Sequence, residues 1–182
     1  MNYNVNRIGY VFTHIGGRVM LGKNKGIVDA KELAFYISDL YISKYSKEIS
    51  PIKLQKSLYF AFAYWGGFVR KSQNKAAEIK INKSEYLFDD RIEAWIYGPV
   101  VPEVYNCHNL EDFANPNLFL GNEDVKEYID GVLESALAVS DFKLVEASHS
   151  DNCWRNSFFP KSQHHNIEIP KEDIIEEYAN MY

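Results

Sequence analysis

The chain has 182 residues but only two cysteines, Cys107 and Cys153. Two distant thiols cannot build a disulfide framework, so the fold must rest on its core, and a reducing cytoplasm is the expected setting. No run reaches the ~18 apolar residues of a membrane-spanning helix. The opening MNYNVNRIGY also lacks the basic-then-apolar plan of a secretory signal. Internal repeats and low-complexity stretches are missing too. So are metal motifs: Cys107-His108, His149, Cys153 and His164-His165 contain no C-x-x-C or H-x-x-x-H. Gly17-x4-Gly22-Lys23 comes close to a phosphate-cradling loop, but Asn24 stands where the Mg²⁺-binding hydroxyl belongs. Neither a metal nor a cofactor is expected, and no membrane partner.

What the chain does have is aromatic surface, with 13 Tyr and 11 Phe, which favours packing and partner contact over disorder. Its net charge of −5 conceals an asymmetry. Residues 1–80 carry 13 Lys/Arg against 5 Asp/Glu, and residues 81–182 carry 7 against 20. Such a chain could steer a charged partner, or its halves could neutralise one another within one compact fold. The lysines are scattered and no recognisable module holds them, which argues against nucleic acid.

The expected architecture is mainly α, a single-core helical domain with a small β-hairpin element and an N-terminal arm or hairpin over residues 1–28. Asp29 opens a D-x-x-E capping box, with Ala30, Leu33, Ala34, Ile37, Leu40 and Tyr41 on one face of the helix that follows. Ser50-Pro51 starts the next helix, apolar nearly all round from Leu58 to Trp65 and so central to the domain. Gly66-Gly67 is expected to kink or end it. Residues 71–86 read as a surface loop or frayed helix, and the stretch to Gly98 as an extended hairpin or turn. Pro102 sits in the first turn of a short helix. Asn122 caps an amphipathic helix with Val125, Ile129, Val132, Leu133, Ala136 and Leu137 inward. Ser140 caps another, residues 150–165 read as irregular, and Pro170 opens a last helix with Ile174, Ile175, Tyr178 and Met181 inward.

Two sets of residues offer chemistry. Asp89, Asp90 and Glu93 place carboxylates near Trp95, which could serve acid–base work or simply cap a turn beside Arg91. His149 and Cys153 are four apart, a spacing that would pair a base with a nucleophile on a continuous helix.

The segment DDRIEAWIYGPVVPEVY, residues 89–105, carries the strongest signal. LFDDRIEAWIYGPVVPEVY resembles the signature of the Panacea domain, the antitoxin SocA-like group. SPIKLQKSLYFAFAYW is similar to that family's K-L-Q-K-L-L-Y-Y-A helix, through Lys53, Leu54, Gln55, Lys56, Leu58, Tyr59 and Ala61. ASHSDNCWRNSF resembles its T-H-x-x-x-P-W stretch, with His149 and Trp154, and IPKEDIIEEYA its closing helix. Cys153 stands where the family usually has proline, and Ser148 where threonine is common. The resemblance runs from about Asp29 to Tyr182, with residues 29–182 as the domain.

It implies a cytosolic, non-enzymatic antitoxin whose partner is a cognate toxin protein, bound directly. A second copy of the chain is the other candidate partner. The alternatives are a proteolytic adaptor or phage-encoded host-interaction protein on the same scaffold, and a hydrolase using Asp89, Asp90 and Glu93. The resemblance implies no catalytic residues, so the candidate site comes from physics. Gly98 permits unusual backbone angles, while Pro99 and Pro102 fix φ and remove two donors, so docking loses little entropy. Trp95, Tyr97 and Tyr105 are residue types that dominate binding energy when exposed. Trp95 is expected to pack under the 53–65 helix, whereas Tyr97 and the Pro99–Tyr105 ridge are balanced between core and contact surface.

Overall fold

The computed structural model describes residues 26–74, 83–159 and 167–181. Most of the expected 1–28 arm, with Gly17, Gly22 and Lys23, lies outside the described residues, as do His164 and His165.

Helix α1 (Ala30–Tyr45) starts where Asp29 accepts the N–H groups of Lys31 and Glu32, at 2.8 and 3.2 Å. Glu32 instead takes the Asn115 side-chain amide at 2.9 Å, tying the helix start to a distant loop. Ser46 ends α1 in the left-handed region, φ 52°, with its N–H on the Ile42 carbonyl at 2.8 Å. Helix α2 (Pro51–Asn74) is capped by the Ser50 hydroxyl, which accepts the Lys53 N–H at 3.0 Å. Its centre is buried almost all round, with Leu58, Tyr59, Ala61, Phe62, Ala63 and Val69 inaccessible. Each such large apolar side chain stabilises the fold by roughly 1.5–3 kcal/mol.

Gly66-Gly67 does not end α2, which runs on for seven residues to Asn74. The glycines serve packing. A Cβ on Gly66 would meet Ile175 Cγ1 at 2.5 Å, and one on Gly67 would meet the Tyr178 backbone at 2.7 Å. Two missing side chains let the closing helix α7 (Lys171–Ala179) lie directly on α2. That contact offsets the helix penalty of about 1 kcal/mol per glycine.

Strands β1 (Glu93–Trp95) and β2 (Gly98–Val100) form an antiparallel hairpin, and β3 (Ile167–Glu168) pairs with the other side of β1. The short helix α3 (Pro102–Tyr105) follows with Pro102 in its first turn, as expected, and then a 3₁₀ turn at Leu110–Phe113. Helix α4 (Glu123–Ala138) buries Val125, Ile129, Leu133, Ala136 and Leu137 against α2. Ser140 caps helix α5 (Asp141–Ser150) by accepting the Lys143 N–H. The result is a mainly helical fold with a small antiparallel sheet, packed around α2.

Two local expectations need correction. Residues 152–157 form helix α6 (Asn152–Ser157) rather than irregular chain. The cause is non-local: the Glu177 carboxylate of α7 accepts the N–H groups of Asn152 and Cys153, at 2.7 and 2.8 Å. Met181 is 57% exposed rather than inward, because α7 stops at Ala179.

Candidate functional site

The hairpin reverses through Ile96 and Tyr97, since Trp95 pairs with Gly98 across it. Two-residue hairpin turns commonly place positive φ on their central residues. Among the described residues only Ser46, Gly98 and Gly121 have positive φ, and here Gly98, at 93°, absorbs the reversal. Ile96 and Tyr97 therefore keep ordinary backbone angles and point outward, 66% and 62% exposed.

Beneath the tip, α2 and α5 hold the second strand. Lys56 Nζ donates to the Pro99 carbonyl at 2.6 Å, and Val101 N–H donates to Gln55 Oε1 at 2.8 Å. A Cβ on Gly98 would overlap Ser148 Oγ and lie 2.9 Å from Lys56 Cε. Glycine is thus required twice, by its angle and by its neighbours. On the other side β1 packs on α6, with Trp154 Nε1 donating to the Trp95 carbonyl at 3.1 Å. Trp154 is sandwiched between His149 (4.0 Å, 12°) and Phe158 (4.7 Å, 15°). The His149 ring also hydrogen-bonds to the Ile96 backbone, while its Nε2 is buried without a hydrogen-bond partner among the described residues. Burial, with the neighbouring Lys56 charge, holds His149 below the ordinary imidazole range.

The six candidate contact residues divide into two groups. Tyr97 and Tyr105 are exposed, and Trp95 is half-buried, its ring edge-on to Tyr105 at a centroid distance of 4.8 Å. Gly98, Pro99 and Pro102 are buried. They lie beneath the exposed edge, where Lys56 and Gln55 draw the strand onto α2. Trp95 does not pack under α2. Its strand faces α6, and its Nε1 donates to Glu93 Oε2 at 2.8 Å. Ile96 is the exposed residue the sequence reading missed; a two-residue loop between paired strands was the signal that placed it outside.

The two catalytic arrangements are not assembled. Glu93 is buried and engaged by Trp95 and by Arg91 (3.2 Å), whereas Asp89 is exposed. Burial, with Asp29 and Glu103 nearby, raises the Asp90 carboxyl above the usual range. Among the described residues no group of three or more His, Cys, Asp or Glu is arranged to hold a metal ion. Asp151 breaks the helix between α5 and α6, so His149 and Cys153 lose the helical register that would pair them. His149 turns to Trp154, and Cys153 Sγ lies 3.4 Å from the Tyr59 hydroxyl. Burial pushes that thiol up to about 12, far from a reactive thiolate. Among the described residues no helix is long and apolar enough to cross a membrane.

The hairpin and the supports from α5 and α6 fall within a recognised family segment. The family model described as antitoxin SocA-like, Panacea domain, matches residues 76–155. That span holds β1, β2 and α3 to α5, and bears out the resemblance read from DDRIEAWIYGPVVPEVY; α2 and α7 lie outside it. The match supports an antitoxin-family role, with a toxin as the general class of partner. No curated protein and no solved structure matches the chain.

Proposed function

We propose that the chain is an antitoxin that neutralises a cognate toxin protein by direct binding, without chemistry, through the hairpin tip and the ridge beside it. The contact residues are Ile96, Tyr97, Tyr105 and the open edge of Trp95, with Gly98, Pro99 and Pro102 as their rigid base. The observation that carries this reading is the exposure of Ile96 and Tyr97 on a turn whose second strand is held from below. Large apolar side chains on a stiff turn lose little freedom on docking, which is where preorganised contacts gain affinity. Aromatic residues in such positions supply most of the energy of protein interfaces.

The test is co-expression with candidate toxins. Rescue of growth and co-purification of the two proteins are expected. Tyr97→Ala should weaken the complex by roughly 2 kcal/mol, about thirtyfold, and Ile96→Asp should abolish rescue, both without changing thermal stability by more than a degree or two. Full rescue by Ile96→Asp and Tyr97→Asp would overturn the assignment.

A further inference from the structure

Lys56 is 1% exposed, in the middle of the fold, and the proposed binding mode does not use it directly. Its amine has one hydrogen bond, to the Pro99 carbonyl at 2.6 Å, and is not within ion-pair distance of a carboxylate among the described residues. The amine and its last methylene fill the space that a side chain on residue 98 would occupy. Ser148, wholly buried, closes the other side, with its hydroxyl donating to the Val145 carbonyl at 3.0 Å. Lysines are seldom buried unless paired, so a lone one under a hairpin calls for a role.

We propose that Lys56 is the positioning residue of the partner-binding hairpin: its seated amine fixes the Gly98-Pro99 backbone and thereby the placement of Ile96 and Tyr97. This rests on the reading of the hairpin as the contact edge. Seating has a consequence that a packed methylene would not have. Burial lowers the Lys56 amine to about 7. The seated state therefore binds fewer protons than the open state between that value and the ordinary 10.5. Docking of the hairpin strengthens as pH rises from about 7 and is weakest below it.

The surrounding groups leave this window clear. On α2, Lys53 is held by Asp141 of α5 at 3.3 Å and by the Val139 carbonyl, and Tyr59 is held by Asp151. Glu103 of α3 pairs with Arg91 at 3.3 Å. Tyr178 of α7 is pushed well above its usual range by burial, and α4 and α1 meet α2 through apolar faces. His149 of α5, already lowered, adds an effect of the same sign but only below about its ordinary 6.5.

Amide hydrogen exchange of the full chain between pH 7 and 8.5, corrected for the intrinsic rate, reads the latch without any partner. Protection of the 94–101 amides should rise several-fold, up to tenfold, per pH unit. In Lys56→Met the rise should vanish, while His149→Gln should keep it. A flat wild-type profile, or the wild-type slope in Lys56→Met, would refute the positioning role. Should Lys56→Met fail to fold, the side-chain Nζ resonance of the wild-type protein decides: titration near 7 supports the latch, and titration near 10.5 refutes it. Growth rescue by Ile96→Asp, alongside an intact exchange slope, would overturn the contact reading and leave the latch standing.

Discussion

Replacing Gly98 with alanine tests how the hairpin is built. An L side chain at φ 93° is strained, by about 1–3 kcal/mol. The new Cβ would also overlap Ser148 Oγ and press on Lys56 Cε at 2.9 Å. Neither neighbour has room to retreat, since Ser148 is wholly buried and Lys56 is 1% exposed. Overpacking of this kind costs about 1–3 kcal/mol. The sum, about 2–6 kcal/mol, rivals the whole stability of many domains, so the hairpin should lift off α2 before the core unfolds. Urea denaturation followed by far-ultraviolet circular dichroism reports the global loss, and exchange of the 94–101 amides reports the local one. Ser148→Ala in the same chain removes the nearest clash but leaves the backbone strain. It should recover about 1–2 kcal/mol and no more, a coupling that a double-mutant cycle measures directly. Gly98→Ala within 0.5 kcal/mol of wild type would refute the reasoning.

Ser46→Gly should stabilise the protein by about 0.5–1 kcal/mol, because glycine relieves a left-handed helix end; a higher urea midpoint checks this. Asp151→Ala leaves the Tyr59 and Tyr178 hydroxyls, now 2.5 and 3.0 Å from its carboxylate, without their acceptor, and should cost about 2–4 kcal/mol. Asp151→Asn should cost less, since an amide oxygen still accepts both. Burial raises the Asp151 carboxyl, so its folded form holds a proton to higher pH than its unfolded form. This group's contribution therefore grows as pH falls toward the ordinary 3.8, and Asp151→Asn should lose that dependence in denaturation profiles. With a thiol reagent at pH 8, half-buried Cys107 should react and buried Cys153 should not; two rapid equivalents would contradict the placement of Cys153.

Local signals in the chain read true where the chemistry is local. Asp29, Ser50 and Ser140 cap the helices they were expected to cap, and the apolar stretch around Phe62 became the centre of the core. Asn122 begins α4 but gives its side chain to Lys83 at 3.1 Å, so position was legible and partner was not. Gly66-Gly67 suggests a helix end to any local reading, because only the arriving α7 makes the absence of side chains useful there. Lys53 and Lys56, three apart, resemble a solvent stripe, yet both are buried under elements that follow much later in the chain. At the hairpin, residue types single out Tyr97 and Tyr105, but only strand pairing shows that Ile96 shares the exposed tip while Pro99 and Pro102 lie beneath it.

The Glu177 grip on the start of α6 gives the tail of the molecule influence over its tip. Glu177 steadies α6, and α6 steadies the Trp95 carbonyl one residue before the reversal. Shearing away α7 would strip both glycines on α2 of their cover and release α6 in the same stroke. Loss of α7 would therefore unsettle the hairpin without touching any residue in it.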